Sequence, residues 1–104
     1  MINRGGEKIY PREIEDFLLT QPGVRSAAVI AARDEVLGQC PVAYVVPAWP
    51  GPYDEIEDAL RAACEAALPR PKQPTAFRLV DELPVGPTGK VSRGRLRELA
   101  AAHR

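Results

Sequence analysis

"VRSAAVIAARDEVLGQCPVAYVVP", residues 24–47, is the stretch on which the fold class turns. Its second half, "PVAYVVP" (41–47), is β-branched and aromatic, a composition that suits a pleated, half-buried surface. Its first half, "VRSAAVIAA" (24–32), reads as a buried strand, although its alanines leave helix open at this point. Between them "RDEVLG" reads as a turn, with Gly38 free to take positive φ. Two strands folded back on each other place a hairpin in the middle of the chain.

Working outward, residues 2–9 carry Gly5-Gly6 before a short extended run and predict a turn or small hairpin. Pro11 opens a helix where its missing N–H does no harm, and the acidic Glu13, Glu15 and Asp16 suit its first turns. Ile14, Phe17 and Leu18 form its apolar stripe, and "QPGV" ends it. Downstream, "YDEIEDALRAACEAAL" (53–68) places Ile56, Ala59, Leu60, Ala63, Cys64 and Ala67 on one helical face, with Asp54 or a neighbour as cap. The proline-rich "LPRPKQP" stops it, and "AFRLVDEL" (76–83) is another strand. Ser92 can cap a last helix with Leu96, Leu99 and Ala100 as its stripe. The predicted fold is α+β: a small mixed or antiparallel sheet of about three strands plus the N-terminal hairpin, packed with three helices.

The 104 residues predict a single domain over 1–104, with roughly 60–65% of the unfolded surface buried on folding. Fourteen Lys/Arg balance fourteen Asp/Glu, which argues against a nucleic-acid binder. The charge is nevertheless polarised. Residues 1–68 hold six Lys/Arg against eleven Asp/Glu, while residues 69–104 hold eight against three, so the C-terminal third would face an anion. Arg93, Arg95 and Arg97 in that third can equally be the solvated face of a helix. No apolar run is long enough to cross a membrane, and the polar N-terminus does not read as a signal peptide. Cys40 and Cys64 read as buried free thiols, and a metal site is not expected, with His103 the only histidine. The expected setting is cytoplasmic.

"PVGPTGKVS" (84–92) has a glycine, a turn and a lysine, which raises the question of a phosphate-cradling loop. Such a loop needs GxxxxGK followed by Ser or Thr, with its backbone amides wrapped round the phosphates. Here Pro84 stands at the first glycine's place, Val91 follows Lys90, and Pro84 and Pro87 remove two amide donors. It is not that motif. A lysine in such a turn is, taken alone, solvated charge.

Its surroundings say more. "VDELPVGPTGKVSRGRLREL" resembles the C-terminal signature of the adenylate-forming enzymes: acyl-CoA synthetases, aryl-acid ligases, luciferases and peptide-synthetase adenylation domains. That signature has a strand ending in acidic-Leu-Pro, a polar turn, Gly-Lys, and an Arg-Leu-Arg helix. "INRGGEKIYPREIE" (2–15) is similar to the family's segment just after its interdomain hinge, and "RDEVLGQCPVAYVV" and "KQP" resemble the family as well. The resemblance covers essentially the entire chain. One departure is Pro71, where the family commonly has an aromatic residue.

The resemblance implies the mobile C-terminal lid of an ATP-dependent acyl- or aryl-acid:CoA ligase, inactive in isolation, whose large N-terminal adenylation domain is absent from this stretch. That larger partner would hold most contacts to ATP, with Mg2+, and to the carboxylic acid. In one pose Lys90 would reach the carboxylate and the nucleotide phosphate while the acyl-adenylate forms, with Gly89 supporting the loop. After a rotation at the hinge, Gly5, Gly6 and Glu7 would line a channel for the thiol of coenzyme A or phosphopantetheine. An ammonium on a flexible stem suits the first task, because a carboxylate attacking a phosphate forces two anions together. One charge pair at ~4 Å and an effective dielectric of ~20 is worth about 4 kcal/mol. Glycines suit the second, since a narrow channel can run against their backbone.

"RGGEKI" followed by "YPREIE" looks more like acyl-CoA synthetases than peptide-synthetase domains. A competing reading is a non-catalytic interaction module, or a stand-alone lid that docks a carrier protein or partner subunit. Which acid is activated lies in the pockets of the larger domain.

Overall fold

The computed structural model describes the backbone of residues 1–102 and the side chains of residues 1–98. Leu99 and Ala100, assigned above to an apolar stripe, and His103 lie outside the side chains so described.

The central hairpin forms as two strands, β3 (Val24–Asp34) and β4 (Gly38–Pro47), paired antiparallel from Val24↔Pro47 to Asp34↔Gly38. This closes the helix option for 24–32. The strands run further into the predicted turn than expected, because the Asp34 carboxylate accepts the N–H groups of Val36 and Leu37, both at 2.9 Å, and shortens the reversal. Those two bonds hold the Asp34 carboxyl below its ordinary value.

β4 is the middle of a five-stranded mixed sheet. Its first edge carries β3, and its second is shared end to end. Near Gly38 it meets β1 (Ile2–Arg4), which pairs with β2 (Glu7–Ile9) as the predicted N-terminal hairpin. Further along, Val42–Val45 pair in parallel with β5 (Ala76–Leu79). A parallel pair needs a long crossover. Helix α2 (Tyr53–Ala67) and a 3-10 turn over Arg70–Lys72 supply it. β5 ends before the predicted residue 83, although the Val80 N–H still reaches the Val45 carbonyl at 2.9 Å.

Side chains alternate across the sheet as a period of two requires. Val29, Ala43 and Val45 point to one face and pack with Ile14 and Leu18 of α1 (Pro11–Leu19) and with Ile56, Leu60 and Cys64 of α2. Ala28, Ile30, Val42 and Tyr44 point to the other face and meet Leu96 of α3 (Arg93–Ala102). The result is three layers: two helices, the sheet, one helix.

Pro11 sits at the start of α1 as expected. The cap of α2 is a correction: Pro52 holds that position and no side chain caps it, so Asp54 lies inside the first turn, where its charge faces the helix dipole. Ala59 and Ala67 of the predicted stripe are exposed. Both cysteines are free and buried, and burial pushes the Cys64 thiol up to about 11.

Candidate functional site

The lysine loop is a small hairpin rather than an open loop. Val85 bridges Val91, the Gly86 N–H donates to the Lys90 carbonyl at 2.8 Å, and the Ser92 N–H donates to the Pro84 carbonyl at 2.8 Å. Gly89 turns the tip with φ +80, and a Cβ there would meet nothing within 4 Å, so the demand on this residue is purely conformational. Lys90 is exposed on the return arm and forms no salt bridge among the described residues. Ser92 then starts α3: its Oγ accepts the Arg95 N–H at 3.4 Å and its carbonyl accepts the Leu96 N–H at 3.2 Å. The predicted cap is there.

Gly5 and Gly6 form the two-residue turn of the β1–β2 hairpin, with φ +57 and +92, the conformation such turns require. The two differ in their surroundings. A Cβ on Gly5 would lie 3.1 Å from Leu37 Cδ2, and the Gly5 N–H donates to the Leu37 carbonyl at 2.9 Å. A Cβ on Gly6 would meet nothing within 4 Å. Both glycines are exposed, but Gly5 lies against Leu37, whereas Gly6 faces open space. Glu7 is exposed at the start of β2, opposite Arg4 in the register.

Lys90 and the Gly5-Gly6-Glu7 group are not brought together. The glycine turn sits at the Gly38 end of β4, while the base of the lysine hairpin, Val85 and Val91, shares a hollow with Arg25, Ser26 and Val46 at the other end. Gly38 and Val46 are eight residue steps apart along the extended strand, roughly 26 Å at about 3.3 Å per step.

Two features escaped the sequence reading. Beside the glycine turn, a cavity of about 240 Å³ is lined by Arg4, Arg61, Arg70, Glu65, Thr75 and Phe77, among others. Arg4 also donates to the Pro71 and Gln73 carbonyls, both at 3.2 Å, so the unusual Pro71 is held by backbone recognition. Arg61 lies over the Phe77 ring, 5.2 Å from its centroid.

The second is Glu15. Only 8% exposed, it faces the core side of α1 with Ile14 and Leu18. Its carboxylate takes a two-pronged contact from Arg93, Nη1 to Oε2 at 2.7 Å and Nη2 to Oε1 at 3.0 Å, and Oε2 also accepts the Val29 N–H at 2.8 Å. Arg93 in turn donates to the Val29 carbonyl at 2.8 Å. Glu15 thus does more than complement a helix dipole, and Arg93 is paired with it while still exposed at the surface, as Arg95 and Arg97 are. The signal was a carboxylate at i+1 and i−3 to two core residues, a position that calls for a cation. The hydrogen bond to Glu15 holds the Arg93 guanidinium above its ordinary value.

Among the described residues, no helix is long and apolar enough to cross a membrane.

Comparison with known proteins gives consistent results. The family model described as the AMP-binding enzyme C-terminal domain matches residues 13–90. A sulfoacetate–CoA ligase of Cupriavidus necator is 48% identical over 96 residues, covering 92% of this chain and 18% of that protein. A 2-succinylbenzoate–CoA ligase of Bacillus pumilus is 41% identical over 97 residues, covering 93% of this chain and 19% of that protein. Among solved structures, a Mycobacterium tuberculosis fatty acyl CoA synthetase superposes with a TM-score of 0.87 at 36% identity, over 99% of this chain and 20% of that one. An o-succinylbenzoate CoA synthetase from Bacillus subtilis, in complex with its acyl-adenylate intermediate, superposes with a TM-score of 0.77 at 38% identity, over 92% of this chain and 19% of that one. The chain spans about a fifth of the length of the curated relatives it matches.

Proposed function

The chain belongs to the family of AMP-binding enzyme C-terminal domains, and on that premise we propose that it is the single-domain lid of an AMP-forming acyl- or aryl-acid:CoA ligase. A large adenylation domain would hold the acid and most of ATP with its Mg2+. The lid would serve two successive reactions. In the first, a carboxylate oxygen attacks the α-phosphorus, the bond to the β-phosphate's bridging oxygen breaks, and pyrophosphate leaves. Lys90 stabilises the charge that accumulates between the two anions, and the water-poor cleft under a closed lid strengthens that interaction. In the second, the thiol sulfur attacks the acyl carbon, the acyl–oxygen bond to phosphate breaks, AMP leaves, and the thiol proton passes to solvent. Gly5 and Gly6 would border the thiol's path, with Glu7 at its rim.

The observation that carries this reading is the separation of the two groups. Lys90 and the Gly5-Gly6 turn lie at opposite ends of β4, so one pose cannot bring both to a single reaction centre. A lid that uses both must turn between steps. The arginine-lined cavity supports the assignment of the thiol end, since Arg4, Arg61 and Arg70 outnumber Glu65 there and suit the phosphates of coenzyme A. A carrier-borne phosphopantetheine would follow the same channel. The need for ATP and coenzyme A suits the cytoplasm.

The test is to separate the half-reactions in the intact ligase. A change at Lys90 should stop adenylate formation and spare thioester formation from supplied acyl-adenylate, and a bulky change at Gly6 should do the reverse. Equal loss of both steps at either position would overturn the reading, as would pyrophosphate exchange catalysed by the 104-residue chain alone.

A further inference from the structure

β3 is an edge strand, and an edge strand leaves alternate backbone groups without a sheet partner. At Val29 both of these outward groups are occupied by side chains. The N–H goes to Glu15 Oε2 at 2.8 Å, and the carbonyl receives Arg93 Nη1 at 2.8 Å. The two side chains are also joined to each other by the two-pronged contact described above. A helix on one face of the sheet, the sheet edge, and the helix on the other face are therefore closed by one ring of hydrogen bonds. Charge-assisted bonds in this fork geometry are short and directional.

The ring lies next to the lysine hairpin. Arg93 follows Lys90 by three residues, and both residues between them are tied down: Val91 bridges Val85, and the Ser92 N–H is bonded to the Pro84 carbonyl at 2.8 Å. Motion at Arg93 is thus passed to Lys90 with little slack. Beyond these bonds, α3 is seated by Leu96, its buried residue among those described, against Ala28, Ile30, Val42 and Tyr44.

We propose that Glu15 and Arg93 are positioning residues, forming a clamp across the β3 edge that fixes where Lys90 is presented. The proposal rests on the role given to Lys90 above. It differs from general fold support in its consequence: loosening the clamp should cost the adenylation step and leave the thiol step alone, because the Gly5-Gly6 turn is anchored elsewhere, through Leu37.

The informative variant is Arg93→Lys. It keeps the charge, but an ammonium cannot match the planar fork that serves both carboxylate oxygens and the Val29 carbonyl. In the intact ligase we expect its kcat for adenylate formation to fall about tenfold or more, in keeping with the steep cost of small misplacements. KM values for acid and ATP, and the rate of thioester formation from supplied acyl-adenylate, should stay within about twofold. On the same protein, hydrogen exchange over residues 84–92 should quicken about tenfold while exchange over β4 is unchanged. Glu15→Gln, which keeps the shape and one acceptor for Val29, should give the same pattern more weakly and guards against a variant that fails to fold.

An unchanged exchange rate over 84–92, an unchanged adenylation rate, or equal loss of both half-reactions would each overturn the clamp. Lys90→Ala, run in parallel, keeps the two ideas apart. If it leaves adenylation intact, the catalytic reading fails, and the exchange over 84–92 alone decides whether the clamp positions this segment.

Discussion

The two ends of β4 meet the same backbone demand in different ways. At the Gly38 end, the Gly5-Gly6 turn is bonded to the β3–β4 reversal through Leu37, and a Cβ on Gly5 would press on the Leu37 side chain. At the Val46 end, the lysine hairpin is held chiefly by its own internal hydrogen bonds and by the helix it leads into, and its glycine tip faces open space. One end is built into the sheet; the other projects from the start of a helix. Changes in the first should disturb structure and chemistry together unless they face outward, as at Gly6. Changes at the tip of the second should alter chemistry with little effect on the fold.

The largest expected effect is at the projecting end. Lys90→Ala should slow adenylate formation by on the order of 10²–10³, the loss typical of one pre-positioned electrostatic group. Thermal unfolding should not move, since Lys90 is exposed. Rapid-quench measurement of the two half-reactions checks it, and a matching loss in thioester formation would erase the distinction between the ends.

Next comes the outward glycine, where two variants separate strain from bulk. Gly6→Ala and Gly6→Trp both force a side chain to adopt φ +92, a cost of about 1–2 kcal/mol in stability that they share. Neither Cβ meets an atom of this chain. Only the indole would fill a channel, so thiol transfer should fall at least about tenfold further in Gly6→Trp than in Gly6→Ala, the scale on which pocket-filling discriminates. Equal rates in the two variants would show that no channel runs there.

A smaller effect should come from the arginine-lined cavity. Arg70→Glu, at an exposed position, should raise KM for coenzyme A about three- to tenfold at low salt, with the difference shrinking as salt screens it. Adenylation should be unaffected. No salt dependence would remove the cavity from the thiol end.

The smallest effect concerns the core between the ends. The Cys64 thiol is raised from its ordinary 9.0 to about 11, so the folded state holds this proton more tightly than the unfolded state. Its contribution to stability is whole below about 9 and is lost as pH climbs to about 11. Alkylation of Cys64 in the folded protein should accordingly be very slow at neutral pH and rise toward that value, as followed by mass spectrometry across a pH series. Rapid labelling at pH 7 would mean that the α2 face opens readily.

Much of this comparison could be read from residues close together in the chain. The β-branched and aromatic composition of 41–47, the stripe at Ile56, Leu60 and Cys64, and paired glycines at 5 and 6 are local signals, and each produced the expected element. The candidate site residues came from motif resemblance, which names positions but not their surroundings. That is why Gly5 and Gly6 looked alike until Leu37 came into contact with one of them. Glu15 and Arg93 are 78 residues apart, and charge patterning gave one a helix dipole to complement and left the other between an anion-facing surface and a solvated helix face. Their pairing depends on which strand lies at the sheet edge, a fact of topology that no local window contains. The parallel pairing of β5 and the proline at the head of α2 escaped for similar reasons: both depend on how the chain crosses over the sheet.

The shared second edge of β4 has a consequence for the order of assembly. Arg4 precedes its partner Gly38 by 34 residues, and Ala76 follows its partner Val42 by the same 34, whereas β3 and β4 are sequence neighbours. Closing long loops is entropically dearer than closing a hairpin, so the β3–β4 pair can form early and the flanking strands must arrive later. During synthesis, β1 is already available when β4 emerges, but residues 76–79 are still to come. Until they do, the stretch Val42–Val45 presents a row of unpaired amides and carbonyls to the crowded cell. Nascent chains of this domain are thus most exposed to misassociation in the interval while α2 is being made.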